Sequence, residues 1–255
     1  MSIKKWQLKY IFGGLAISPL VPFLYAQGKF VRYKVGRLPD AGGEKRGQIG
    51  ENKEFINLLA IGESTVAGIG AKTHAEALTG QFARHLSGKL EKSVRWTAVG
   101  ESGITVRRTL QELVPDLPDE KFDVIVVALG ANDVFGLSSP KKWRRDLGEL
   151  LEILREKYGD ALIFVANVPM VRDFIAMPNP LRYVLSRLAK LHHFNAQDLI
   201  SQMENVIYFD DVKKVSDDFF SDGIHPSVVG YDLWSLEMVE FMLKNTKVKL
   251  TGMTG

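Results

Sequence analysis

The chain has 255 residues, 45% of them hydrophobic, and a formal net charge of +3. That is apolar material for one large domain or two small ones with a full core, and too weak a positive charge for a nucleic-acid-binding protein. There is no cysteine, which excludes disulfides, thiolate catalysis and cysteine-ligated zinc and leaves the redox compartment open.

The first segment is a hydrophobic N-terminal arm, residues 1–37. It starts basic, with Lys4, Lys5 and Lys9, and Tyr10 to Ala26 then carry no charge. A run of 17 residues is at the short limit for a membrane span, and Pro19 and Pro22 interrupt a helix within it. Four readings stand side by side. One is a signal peptide, against which Leu24-Tyr25-Ala26 is a poor small-x-small cleavage site. Another is a membrane anchor, against which Lys29, Arg32, Lys34 and Arg37 place positive charge at the far end too, so that charge bias gives no direction. The third is an arm lying in the membrane interface, and the fourth a helix packed on the domain. Contact with a membrane surface is expected through residues 10–26, and a membrane-associated or exported protein is expected ahead of a cytoplasmic one.

Residues 38–54, rich in glycine and charge, read as a linker. Residues 55–245 then form one domain, and 246–255 a C-terminal tail. Within the domain, short apolar runs alternate with longer amphipathic stretches. The runs are 55–62, 94–100, 122–130, 161–168 and 206–209; the helical stretches cover roughly 75–91, 105–114, 140–158, 181–203 and 226–244. Near-continuous apolar runs such as Val124-Ile-Val-Val-Ala128 predict strands buried on both faces. The alternation predicts an α/β protein: a central parallel sheet of about five strands with helices on both sides. No internal repeat is visible.

In an open parallel sheet, ligands bind beyond the carboxyl ends of the strands. Beyond the first run stands Gly62-Glu63-Ser64-Thr65, with Ser64 where strand turns to helix. As structure alone this is a helix cap; a phosphate loop is disfavoured because neither G-K-[ST] nor G-x-G-x-x-G follows. Beyond the second stands Gly100-Glu101-Ser102-Gly103, whose Gly103 lets backbone N–H approach a ligand. Beyond the third stands Gly130-Ala131-Asn132-Asp133, where Asn132 offers an amide with two donors. The last connection carries Asp222-Gly223-Ile224-His225-Pro226. Gly223 permits a bend there, and Pro226 is expected to start the final helix. Each piece alone is an ordinary turn. Together they supply what acyl transfer needs: a nucleophile (Ser64), a base (His225), an orienting carboxylate (Asp222) and oxyanion donors (the Ser64 and Gly103 amides and Asn132).

The blocks IGESTVAGIG, GESGIT, LGANDV and DGIHPSVVGY, in that order between about Ile56 and Tyr231, resemble the four blocks of the SGNH or GDSL hydrolases. The resemblance implies a flavodoxin-like α/β/α sandwich and ester hydrolysis without a cofactor. It also implies Ser64, Asp222 and His225 as catalytic residues, and Ser64, Gly103 and Asn132 as the oxyanion hole. The chain departs from the family in one respect: Glu63 stands where an aspartate usually precedes the serine. Glu63 and Asp133 are expected as supporting residues.

His74, His85, His192 and His193 are expected at the surface or its boundary, with no metal site. The basic stretch 141–147 reads as a solvated helix face, or as an attractor of anionic substrate or lipid head groups. The expected substrate is a small-molecule or lipid ester, with acetyl or short- to medium-chain acyl groups, and lipolytic activity falls within that range. The rival from another class is a non-catalytic carbohydrate- or lipid-binding module on the same fold, against which Ser64, Asp222 and His225 are all intact.

Overall fold

A computed structural model describes residues 3–36, 38–211 and 215–246. Six strands form one sheet: β1 (Arg46–Ile49), β2 (Phe55–Gly62), β3 (Ser93–Gly100), β4 (Val124–Ala128), β5 (Leu162–Val165) and β6 (Val206–Tyr208), in the spatial order β1-β3-β2-β4-β5-β6. All pairings are parallel except β1 with β3, which is antiparallel. The five expected strands are present. The sixth, β1, lies inside the segment read as a linker. It is an edge strand whose residues alternate between exposed and half-buried, so it carries no apolar run.

The helices are α1 (Ile3–Ile17), α2 (Val21–Val35), α3 (Leu78–Leu90), α4 (Val106–Arg108), α5 (Ala131–Phe135), α6 (Pro140–Tyr158), α7 (Leu181–Ile200) and α8 (Val228–Asn245). The helix expected over 105–114 shortens to α4, followed by a π-helical turn at Thr109–Leu113 and a 3-10 turn at Val114–Asp116. Pro115 has no amide with which to continue an α-helix there.

Each central strand is buried on both faces, which is why its sequence is continuously apolar. Leu59, Ile61, Ile125, Val127, Ile163 and Val165 face a core shared with α6 and α7. Leu58, Ala60, Val124, Val126, Leu162 and Phe164 face a core shared with α3 and α8. The result is a three-layer sandwich.

Three of the four histidines expected near the surface are buried: His74, His192 and His193. Two of them sit on α7, whose inner face is broad enough to take neighbouring positions. His192 stacks on Trp143 with ring centroids 5.0 Å apart, and the Tyr208 hydroxyl lies 2.9 Å from His193 Nδ1. Among the described residues no cluster of three or more His, Asp or Glu side chains could hold a metal ion. The proposed tail, residues 246–255, lies outside the described residues beyond Thr246.

Candidate active site

The strand register brings the glycine-containing turns to one level. Gly62 at the end of β2 pairs with Gly100 on β3 and with Ala128 on β4. The chain turns from β2 to one neighbour and then to the other, so this is the sheet's switch point, where a crevice opens. A Cβ on Gly100 would lie 2.7 Å from Ala67 N. Only glycine lets the turn after β2 close over β3.

Ser64 is buried in that turn. Ser64 does not stand at the helix N-terminus expected beside it, since α3, the helix expected from about residue 75, begins at Leu78. Instead the Val66 and Ala67 amides donate to Glu63 O at 2.9 and 3.0 Å, and Ile69 N donates to Ser64 O at 2.9 Å, winding a compact turn. The Tyr231 hydroxyl donates to Ile69 O at 2.6 Å, tying the turn to α8. Among the described residues the Ser64 and Gly103 amides donate to no protein acceptor.

Asp222 and His225 share one loop. His225 Nδ1 lies 2.7 Å from Asp222 Oδ2, while Asp222 Oδ1 accepts from the His225 and Ile224 amides at 2.7 and 2.9 Å. Ser221 N donates to His225 O at 2.8 Å and closes the loop at its base. Gly223 adopts φ +84° with Ala176 packed against it, and a Cβ would lie 2.9 Å from Ala176 N. Burial opposes ionisation of Asp222, but the hydrogen bonds from His225 and Ile224 outweigh it and hold the carboxyl below its ordinary value. Pro226 does not begin the last helix. Ser227 does so as N-cap, its hydroxyl accepting from Gly230 N at 3.1 Å, and α8 starts at Val228. A serine hydroxyl outcompetes proline at that position because it satisfies an otherwise unpaired helix amide.

Glu63 is buried and binds the third block from below. Its carboxylate accepts from Ala131 N (2.9 Å), Asn132 N (3.0 Å) and Asn132 Nδ2 (2.5 Å). The first two amides open α5, whose N-cap, Gly130, has no side chain to serve them. Burial pushes the Glu63 carboxyl up to about 7, despite those hydrogen bonds. Asp133 ties the third block to the second in the same way. It accepts from Val106 N at 3.0 Å and from the Ser138 hydroxyl at 3.3 Å, and burial raises it to about 6. A chain of buried carboxylates therefore fixes Ser64, Asn132 and the Gly103 turn relative to one another.

Ser64, Gly103, Asn132 and His225 all line one cavity of about 780 Å³. The expected catalytic and oxyanion residues are thus together, Asp222 through its bond to His225; Glu63 also reaches the cavity wall, and Asp133 stands behind it. Two contributors went unread in the sequence. Asn167, in the stretch following β5, is a lining residue of the cavity, and its Oδ1 is buried without a partner; its place beyond a strand was the signal that could have found it. The other is the N-terminal arm. Val21, Leu24, Gly28, Val31 and Val35 of α2 line the same cavity; a helix packed on the domain was one of the four readings of the arm, but a place at the site was not.

Residues 60–233 match the GDSL-like Lipase/Acylhydrolase family. No curated protein matches the chain. Among solved structures, the acetylxylan esterase Axe2 from Geobacillus stearothermophilus is 18% identical with a TM-score of 0.52, covering 78% of this chain and 98% of its own. LAE5, an alpha/beta hydrolase enzyme from the metagenome of Lake Arreo, Spain, is 17% identical with a TM-score of 0.54, covering 72% and 95%. A family two carbohydrate esterase from Clostridium thermocellum, in complex with cellohexaose, is 14% identical with a TM-score of 0.58, covering 77% and 66%. At these identities the likeness is one of fold.

Proposed function

Since the chain belongs to the GDSL-like lipase/acylhydrolase family, we propose that it hydrolyses carboxylic esters through an acyl-enzyme on Ser64. His225 takes the proton from Ser64 Oγ as that oxygen attacks the ester carbonyl. Asp222, bound to Nδ1, fixes the imidazole tautomer and stabilises the imidazolium. The carbonyl oxygen becomes an oxyanion, received by the Ser64 and Gly103 amides and by Asn132 Nδ2. Collapse breaks the ester C–O bond, and His225 returns its proton to the departing alcohol. Water, activated by His225, then releases the acid and restores Ser64. Glu63 and Asp133 are positioning residues: they touch the turns that bear the donors, not the ester.

One observation carries this reading: Ser64, Gly103, Asn132 and His225 converge on a single cavity while the far nitrogen of His225 is held by Asp222. The test is covalent labelling with a fluorophosphonate probe, together with hydrolysis of a soluble acetyl ester. Both are expected in the wild type and neither in Ser64→Ala. Undiminished hydrolysis by Ser64→Ala would end the proposal.

A further inference from the structure

The arm α1–α2 is apolar on both its faces, which a surface helix of a soluble domain is not. Its inner face is occupied. Trp6, Leu24 and Val31 are buried, and Leu24 and Val31 form part of the wall of the Ser64 cavity. Its outer face is bare. Leu8, Ile11, Phe12 and Leu15, at i, i+3, i+4 and i+7 on α1, are 45–66% exposed, and Phe23 and Phe30 on α2 are exposed as well. The most apolar 18-residue window of Ile3–Val35 has a mean hydropathy of 1.4 and is only 6% buried.

Charge says what covers that face. Between Ile3 and Val35 stand Lys4, Lys5, Lys9, Lys29, Arg32 and Lys34, and no acidic residue, although the whole chain has a net charge of only +3. The arm is therefore a cationic strip on a domain that is otherwise net acidic. Lys141 and Lys142, exposed at the start of α6, lie beside it, where Lys141 N donates to Gln7 Oε1 at 3.2 Å.

Anchorage says how the arm lies. The Tyr10 hydroxyl donates to Leu137 O at 2.8 Å. Gln27 Nε2 donates to Asn179 O at 2.8 Å, and Leu181 N donates back to Gln27 Oε1 at 3.1 Å. Both halves are thus pinned to the same domain along their inner faces. Ile3–Val35 taken together is long and apolar enough to cross a bilayer, but a segment held to the domain at both Tyr10 and Gln27 runs along the domain surface rather than away from it.

We propose that the arm seats the protein flat on an anionic phospholipid leaflet, and that α2, as a wall shared by leaflet and cavity, delivers a long-chain amphiphilic ester from that leaflet to Ser64. The proposal rests on the hydrolase reading for its second half only. The acyl chain would lie against Leu24 and Val31, and an anionic head group would meet Lys29 and Arg32, which stand on the same wall. The step itself is the hydrolysis already described: one ester bond and one water give an acid and an alcohol.

The experiment uses full-length protein carrying Ser64→Ala, so that vesicles stay intact, in flotation with phosphatidylcholine vesicles and with mixed phosphatidylcholine–phosphatidylglycerol vesicles. Binding to the mixed vesicles is expected to be at least about tenfold tighter and reversed by alkaline carbonate. Two surface variants, Lys4→Glu/Lys5→Glu/Lys9→Glu and Leu8→Ser/Phe12→Ser/Leu15→Ser, should each weaken binding by about tenfold or more, with circular dichroism melting as the check that they fold. In the active enzyme, Leu24→Trp should lower the ratio of long-chain to acetyl-ester turnover by about tenfold. Equal binding to neutral and anionic vesicles, carbonate-resistant insertion, or surface variants that bind as the wild type does would overturn the docking. An unchanged chain-length ratio in Leu24→Trp would overturn the shared wall. Vesicle binding without hydrolysis of any ester would refute the hydrolase reading and leave the docking standing.

Discussion

Glu63 and Asn132 are coupled at the scale of single atoms. One carboxylate takes hydrogen bonds from two backbone amides and from Asn132 Nδ2, which leaves the second amide hydrogen of Asn132 for an oxyanion. The longer side chain at this position is therefore accommodated, because it spans from the turn after β2 to the first turn of α5. Asn132→Ala should lower kcat by about 10²–10³ with a smaller change in KM; a kcat unchanged in steady-state assays would remove Asn132 from the oxyanion hole. Glu63→Gln is expected to be milder but clear. Both Asn132 donors share one Glu63 oxygen and Ala131 N has the other, so a glutamine keeps the Asn132 bonds only by turning its NH₂ toward Ala131 N; the first turn of α5, which carries Asn132, loses part of its hold and kcat falls by roughly tenfold, within the range that loss of an oxyanion donor sets as a limit. An enzyme with Glu63→Gln and full kcat would show that the carboxylate orients nothing.

The elements were legible where their sequence had one job. β2 to β6 are apolar on both faces because helices cover both faces, and Ser64, Gly103 and Asn132 were readable as candidates because they follow β2, β3 and β4, whose ends the register brings to one level. β1 was not legible: Arg46-Gly47-Gln48-Ile49 is a short edge with half its positions exposed, and edges need no apolar run. Nor were the buried histidines of α7, since burial of an imidazole leaves no periodic signal. The arm was ambiguous for a physical reason. Its inner spacing of 21, 24, 28, 31 and 35 is helical, but an apolar outer face masks that period. Element contacts also explain Asp133, whose carboxylate is what holds α4 and the Gly103 turn beside α5. Asp133→Ala would leave the buried Val106 amide unpaired and should cost about 1–3 kcal/mol of stability by urea denaturation. Asp133→Asn, which keeps an acceptor, should recover most of it. Equal losses in the two variants would show that the hydrogen bond to Val106 is not what matters there.

Over the whole molecule, buried titratable groups pull stability in opposite directions with pH. Glu63 is raised from 4.5 to about 7 by burial. The folded chain keeps a proton that the unfolded chain has lost, so its contribution is full below about 4.5 and is lost as pH rises through 7. His192 works in the other direction. Burial pushes its imidazole down from 6.5 to about 3, and the Ser138 backbone, which pulls the other way, does not reach hydrogen-bonding geometry with either ring nitrogen. Here the unfolded chain binds the proton that the folded chain refuses, so stability is complete above about 6.5 and is lost as pH falls from there toward 3. His192→Phe keeps the stack on Trp143 and removes two buried nitrogens without partners. It should therefore stabilise the protein at every pH, and more at pH 5 than at pH 8. The difference between the two should be on the order of 2 kcal/mol, the free energy of withholding that proton at pH 5. Urea unfolding of wild type and variant at both pH values measures it. A gain of the same size at pH 5 and pH 8 would mean that His192 is not the group that makes the fold acid-sensitive.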